Sequence, residues 1–368
     1  MTWVIAILGL GLLMIVHEAG HFFAARSFGM RVLKFSIGFG PTFFKVEPED
    51  GYYYLNTVGG RIRAKLWKHD PEKHGPTVFQ VAMIPFFAYV QIDGMNPFEE
   101  QEADDKGSYA NASLLARVVT IIAGPLANYV SASLFFFLPA YFAGVNPPPE
   151  DRFIKPIPDS PAMIAGFRDG DEVVEVNGVR VNTWAEMSVQ ISGATEEIQV
   201  IVKREKEDVT LRVLPAESKD GIRRIGVRPM EKKADFAAAA KHAVIQPPLF
   251  IQDQLGAIRK ALTEKDSGVR LGGPKAMVEG IEAAAQRGWA DFFNLLGALS
   301  TVLALFNMFP IPALDGGRLL FLGYEAATRK RANPTVEMQI HALGFVVLFA
   351  LMIYVTIAND ILGGGGPK

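Results

Sequence analysis

The 368-residue chain has no cysteine, which removes disulfides, cysteine nucleophiles and thiolate metal sites together. Any zinc it holds must rest on histidine and carboxylate, the donor set of catalytic rather than structural sites. Neither sign of charge is in surplus. Lys and Arg number 37 against 39 Asp and Glu, a net charge of −2. No basic excess is available for a polyanion, and no nucleic-acid partner is expected. Charge is also missing locally: residues 1–16 and 118–149 carry none. With 49% hydrophobic residues and a mean hydropathy of +0.19, the chain is too apolar for an ordinary soluble enzyme and long enough for two or three domains.

About 20 apolar residues cross a bilayer as a helix. Four stretches meet that length. The first runs from the N-terminus through Phe22, Phe23, Ala24 and Ala25 to Arg26. The second covers residues 118–145. The third covers residues 292–314, is closed by Asp291 and Asp315, and is broken by Pro310 and Pro312. The fourth covers about residues 340–358. Met1-Thr2-Trp3 offers no basic start and no small-residue cleavage site follows, so the first stretch reads as a retained span rather than a signal peptide. Four spans put both termini on one side. Arg26, Arg31, Lys34, Arg117 and Arg329-Lys330-Arg331 lie at the opposite side, which assigns that side to the cytoplasm and the termini to the outside.

Inside the first span stands His17-Glu18-Ala19-Gly20-His21. At about 3.6 residues per turn, His17 and His21 share a helix face and reach one metal, with Glu18 beside it as a base. Short motifs arise by chance, but a bilayer penalises stray ionisable groups, so a trio at membrane depth points to function. A catalytic zinc takes three protein ligands and leaves a position for water. Asp315 is the third candidate. Pro310 and Pro312 disrupt helix and Gly316-Gly317 permits a tight turn, so unwound chain lining a cavity could aim the carboxylate inward. Asp-Gly-Gly alone would favour a cap on the helix that resumes at Arg318, but the Asn-x-x-Pro-x-Pro run at membrane depth favours the ligand role, and the two could coexist.

Between the second and third spans, residues 154–215 read as a small mixed domain. Residues 173–181 alternate around Asn177-Gly178 as a hairpin, and residues 198–202 and 209–213 are strand-like. Ser160-Pro161-Ala162, Ala165-Gly166-Phe167 and Asp169-Gly170-Asp171 resemble the helix and turn of bacterial PDZ domains. Residues 234–261 are helical in pattern, interrupted by Pro247-Pro248, and suit either an interfacial helix or a soluble linker. The expected architecture is a polytopic α-helical membrane protein with four transmembrane helices, a membrane-associated β-hairpin region and one inserted α+β PDZ-like domain. Its segments are a first membrane half (1–145), a PDZ-like domain (150–232), a helical linker (233–290) and a second membrane half (291–368).

Together, the His17 to His21 motif, Phe35-Ser36-Ile37-Gly38-Phe39-Gly40-Pro41, Ala123-Gly124-Pro125-Leu126-Ala127-Asn128 and the run from Asn307 to Gly317 resemble the site-2 protease family of intramembrane metalloproteases. The single PDZ-like domain is similar to the bacterial branch that cleaves membrane-bound anti-sigma factors. The resemblance implies Zn2+ on His17, His21 and Asp315, with Glu18 as general base. It implies Asn307 as a substrate-backbone contact. It also implies that residues 78–93 enter the membrane as a β-hairpin whose edge, at Ala88, Tyr89 and Val90, receives an unwound substrate strand. The family tends to carry Gly-Gly before Tyr-Val, where this chain has Phe86-Phe87-Ala88.

The function that follows is zinc-dependent cleavage of transmembrane segments in single-span membrane proteins, anti-sigma-factor-like or signal-peptide-like and already trimmed by another protease. The setting is a bacterial inner membrane, with the lipid bilayer as the other partner, the active site toward the cytoplasm and the PDZ-like domain outside. An intramembrane metal transporter and a non-catalytic PDZ scaffold are the competing readings. Residues 47–75 look like an insertion that could form an extra hairpin at the site entrance. His69 and His74, in a Pro- and Lys-containing loop, are expected to be solvated rather than metal ligands.

Overall fold

The computed structural model describes the chain apart from residues 1, 58–61, 97–103, 145–149, 218–221, 231–233, 265–272 and 358–368, and apart from the side chains of residues 2–3, 85–87, 262 and 274. The described residues divide into two compact units, one within residues 1–137 and 243–357 and one within residues 138–242. Among the described residues four helices are long and apolar enough to cross a membrane, Val4–Ser27, Leu114–Phe142, Trp289–Asn307 and Pro334–Val355.

The first unit opens with α1 (Thr2–Ser27), which carries the histidine motif. Strands β1 (Val32–Glu49), β2 (Tyr52–Thr57) and β3 (Arg63–Lys68) follow, then a one-turn α2 (Pro71–His74) and β4 (Val78–Ile92). The sheet order is β3-β2-β1-β4. Residues 78–93 do not pair with themselves as a hairpin. Ser36 is in register with both Tyr89 and Gln80, so the first half of β1 lies between the two halves of β4. The cause is local: Gly38 and Gly40 take φ of 90° and 93°, a region open to glycine, and turn β1 back so that Phe44, Lys45 and Val46 meet Val81, Gln80 and Phe79. Two bent strands thus interlock. An antiparallel pair extends the sheet on the far side, β2 with β3. There His69 Nε2 meets the carbonyl of Gly75 at 2.7 Å and His74 Nδ1 accepts the Asp70 N–H at 3.0 Å.

Helix α3 (Leu114–Phe142) then leads into the second unit. That unit holds β5 (Phe153–Pro156), α4 (Pro161–Ile164), β6 (Asp171–Val176), β7 (Val179–Arg180), α5 (Trp184–Ser192), β8 (Ile198–Arg204) and β9 (Glu207–Val213). Short strands β10 (Ala216–Glu217), β11 (Arg223–Arg224) and β12 (Val227–Pro229) complete it. The main sheet runs β12-β5-β6-β8-β9, with β7 paired to β6 across Asn177-Gly178. Ser160 caps α4 and Thr183 caps α5, each through its hydroxyl. Ile154, Val173, Val176, Met187, Ile198 and Val200 are fully buried between sheet and helices, each stabilising the unit by about 2 kcal/mol.

Helix α6 (Phe236–Thr263) runs through Pro247 and Pro248 without a break. The adjacent prolines remove two donors, but the flanking turns keep the helix in one piece, against the interruption expected from sequence. Beyond it, α7 (Pro274–Arg287) packs on α1 and on α8 (Trp289–Asn307), burying Ile281 and Ala284. Then come α9 (Asp315–Thr328) and α10 (Pro334–Val355). Leu13, Phe135 and Leu296 bind α1, α3 and α8 into one bundle. A polar seam reinforces it, with Ser300 Oγ donating to the Asn128 carbonyl at 2.8 Å and lying 3.0 Å from Ser131 Oγ.

Candidate metal centre

Small residues set the site by letting helices touch. A Cβ on Gly20 would overlap the Ala123 carbonyl, and one on Gly124 would overlap His21 Nε2. With hydrogen at both positions, α1 and α3 close to backbone contact and His21 lies flat against Gly124. The third span behaves differently from a continuous helix. It ends at Asn307, residues 308–314 are unwound, and α9 begins at Asp315. Leu314, extended at φ −99°, is the N-cap and makes no side-chain cap bond. Asp315 is therefore not a cap but the first helical residue, and its carboxylate is directed at the histidines.

His17 Nε2 lies 3.1 Å and His21 Nε2 3.3 Å from Asp315 Oδ2, and the two Nε2 atoms are 3.2 Å apart. Both histidines are buried. These three residues form the one group of described His, Cys, Asp and Glu side chains with ligand atoms close enough to share a metal. His21 Nδ1 faces the Thr120 carbonyl at 2.8 Å, which places its proton on Nδ1 and leaves the Nε2 lone pair for a ligand. His17 Nδ1 faces the Asn128 amide at 3.3 Å, and Asn128 Oδ1 is buried without a partner. Turning that amide brings Oδ1 onto the His17 Nδ1–H and satisfies both groups. Asp315 Oδ2 is likewise buried without a hydrogen-bond donor. Three convergent lone pairs and no donor between them call for a cation, and two imidazoles with one carboxylate suit zinc.

The cluster opens into a cavity of about 290 Å³ lined by Glu18, Tyr89, Val90, Asn307 and Arg318, among others. Glu18 Oε2 accepts the Val90 backbone N–H at 3.1 Å. Of the residues that the sequence singled out, His17, Glu18, His21, Asp315, Asn307, Tyr89 and Val90 are together here. Ala88 is buried in register with Ile37 and does not line the cavity. Phe86 and Phe87 belong to β4 by backbone, but their side chains lie outside the described residues.

Several contributors carried no sequence assignment. Asn128 and Thr120 fix the two imidazoles. Arg318, one turn beyond Asp315, lines the cavity wall. His341 on α10 accepts the Ala313 N–H at 2.8 Å and holds Ala313 at φ +77°, two residues before Asp315. A lone amide and a lone histidine inside apolar spans were the signals for Asn128 and His341. Farther along α9, both Arg117 terminal nitrogens grip Glu325, at 2.9 and 2.5 Å.

Comparison with known proteins agrees with this chemistry. The profile of Peptidase family M50 matches residues 5–65 and 56–351. Zinc metalloprotease RasP of Oceanobacillus iheyensis is 28% identical over 425 residues, covering 98% of this chain and 99% of that protein. A Clostridium acetobutylicum protein named as a candidate zinc metalloprotease is 27% identical over 361 residues, covering 97% of each. The chain belongs to Peptidase family M50 and is a zinc metalloprotease with multiple apolar spans.

Proposed function

We propose that this protease works within the bilayer, cutting the transmembrane segments of single-span membrane proteins. One observation carries the reading: His17 and His21, buried on an apolar span, converge with the half-buried Asp315 at the start of α9, and the cluster opens beside β4, the edge strand of its sheet.

His17, His21 and Asp315 are the zinc ligands in this reading, and Glu18 is the base. Zinc bound there supplies a Lewis acid toward the scissile carbonyl and the attacking water. Glu18 takes a proton from that water as its oxygen adds to the carbonyl carbon. It then returns the proton to the departing nitrogen as the C–N bond breaks, leaving a carboxylate and an amine. A substrate helix hides its carbonyls in its own hydrogen bonds, so it must unwind first. The outer edge of β4 offers backbone partners for the unwound strand. Asn307 and Tyr89, which both line the cavity, would hold it in place.

Orientation follows the cationic span ends, Arg26, Arg31, Lys34, Arg117 and Arg329 to Arg331, which favour a cytoplasmic site. The bacterial sources of the relatives suit a bacterial inner membrane. The second unit is a PDZ-like module in this reading, supported by its capped helices and small antiparallel sheet. Outside the membrane it would screen substrates for prior trimming. Its removal (residues 154–215) should abolish the preference for trimmed over full-length substrate.

The direct test incubates purified protein with tagged single-span substrates. Wild type should cut within the span, while Glu18→Gln and chelator-treated protein should not. Cleavage insensitive to both treatments would refute the reading.

A further inference from the structure

Among the described residues, the Glu18 carboxylate has one hydrogen bond, and it comes from the backbone of the sheet. Val90 is in register with Phe35 of β1, yet its N–H is turned away from that partner, toward α1. On an antiparallel strand successive residues point their backbone groups alternately to the two sides. The Val90 N–H therefore belongs to the free edge of β4, and that edge is the outermost of the sheet. It also faces the cavity that holds the metal cluster.

An edge N–H is what an added strand uses for pairing. At Val90 that donor is already taken by the residue assigned as the base. A substrate carbonyl and the Glu18 carboxylate cannot both hold one N–H at full strength. We infer that the Val90 N–H is a shared donor that couples substrate docking to release of the base. Until a substrate strand pairs with β4, the Val90 N–H tethers Glu18 to the strand. When a substrate strand takes the N–H for its own carbonyl, the carboxylate is freed to accept the water proton. Docking and arming of the base become one event, which holds the water idle until a peptide is present. Val90 acts through its backbone as a positioning residue. The inference rests on strand docking as proposed above.

Val90→Pro removes the N–H, and an edge strand tolerates proline where the donor faces outward. Exchange of the residue-90 amide for an ester removes the same N–H while keeping the valine side chain, in case proline disturbs the strand. Each full-length variant is compared with wild type at equal zinc content on a fluorogenic single-span peptide in micelles. The same peptide N-methylated beside the scissile bond tests strand docking separately.

The expected result is a KM raised about tenfold, the cost of one strand hydrogen bond, with kcat within about twofold of wild type because no tether remains to be broken. A kcat reduced tenfold or more at unchanged KM would overturn the inference, since the N–H would then merely aim the base. Unchanged KM and kcat would also overturn it. Strand docking itself survives either negative outcome if N-methylation still weakens the substrate, and fails if N-methylation has no effect.

Discussion

Gly124 lies against the His21 imidazole so closely that a single methyl group at its Cα would overlap Nε2. Two helices distant in sequence are thereby held at a separation that only glycine permits. Gly124→Ala should leave helix content unchanged or slightly higher, because alanine is the better helix former. Zinc affinity should fall by at least about 100-fold as the ring is pushed aside. Circular dichroism and metal analysis on the same sample check both parts, and stoichiometric zinc in the variant would show that the contact is not obligatory.

Asn128 acts on His17 through the nitrogen that faces away from the metal cluster. Asn128→Leu should weaken zinc binding by roughly 10–100-fold. Asn128→Asp should bind close to wild type, because a carboxylate also accepts the Nδ1–H. Competition with a chromogenic chelator measures the difference, and equal loss in both variants would mean that packing rather than the hydrogen bond matters.

Arg117 and Glu325 fix α9, the helix whose first residue is Asp315. The hydrogen bond from Arg117 holds the Glu325 carboxyl below its ordinary value, with Arg331 adding to the effect. A depressed folded-state value means that the stabilisation is fully present above the unfolded carboxyl's pKa, near 4.5, and is lost as pH falls below it through the folded value. Arg117→Met should lower stability by about 3 kcal/mol at neutral pH. It should also flatten the decline in melting temperature on acidification below pH ~4.5. Melting curves in detergent across that range test the sign, and a steeper acid decline in the variant would contradict it.

His341 supports the strained backbone at Ala313. His341→Ala should cost about 1–2 kcal/mol through the lost acceptor. It should also loosen Asp315, visible as faster zinc release. His341→Asn should restore part of the loss, since its side-chain oxygen can accept the same N–H. Identical release rates in all three proteins would remove His341 from the positioning of the site.

The chemistry was legible where physics forces rarity. Ionisable residues inside apolar runs are costly, so His17, Glu18 and His21 stood out at once, and the proline-broken run marked Asp315. The turn at Asn177-Gly178 was equally plain, because few residues accept its backbone angles. Pairing between distant strands was not. Nothing local in residues 78–92 says that β1 divides their two halves, because that partnership is decided by long-range register and the bend at Gly38 and Gly40. The roles of Gly124, Asn128 and His341 also depend on which helices become neighbours. That Asp315 would not also cap α9 was hidden for a related reason, since the one-residue offset to Leu314 is set by the loop before it.

The most direct measurement determines zinc per chain and substrate cleavage in the same preparations of wild type, Asp315→Ala and Glu18→Gln. The expected result is one zinc with cleavage in wild type, neither in Asp315→Ala, and one zinc with cleavage reduced about 10²–10⁴-fold in Glu18→Gln. Full zinc in Asp315→Ala, or wild-type cleavage by Glu18→Gln, would contradict a centre in which His17, His21 and Asp315 hold the metal and Glu18 moves the proton.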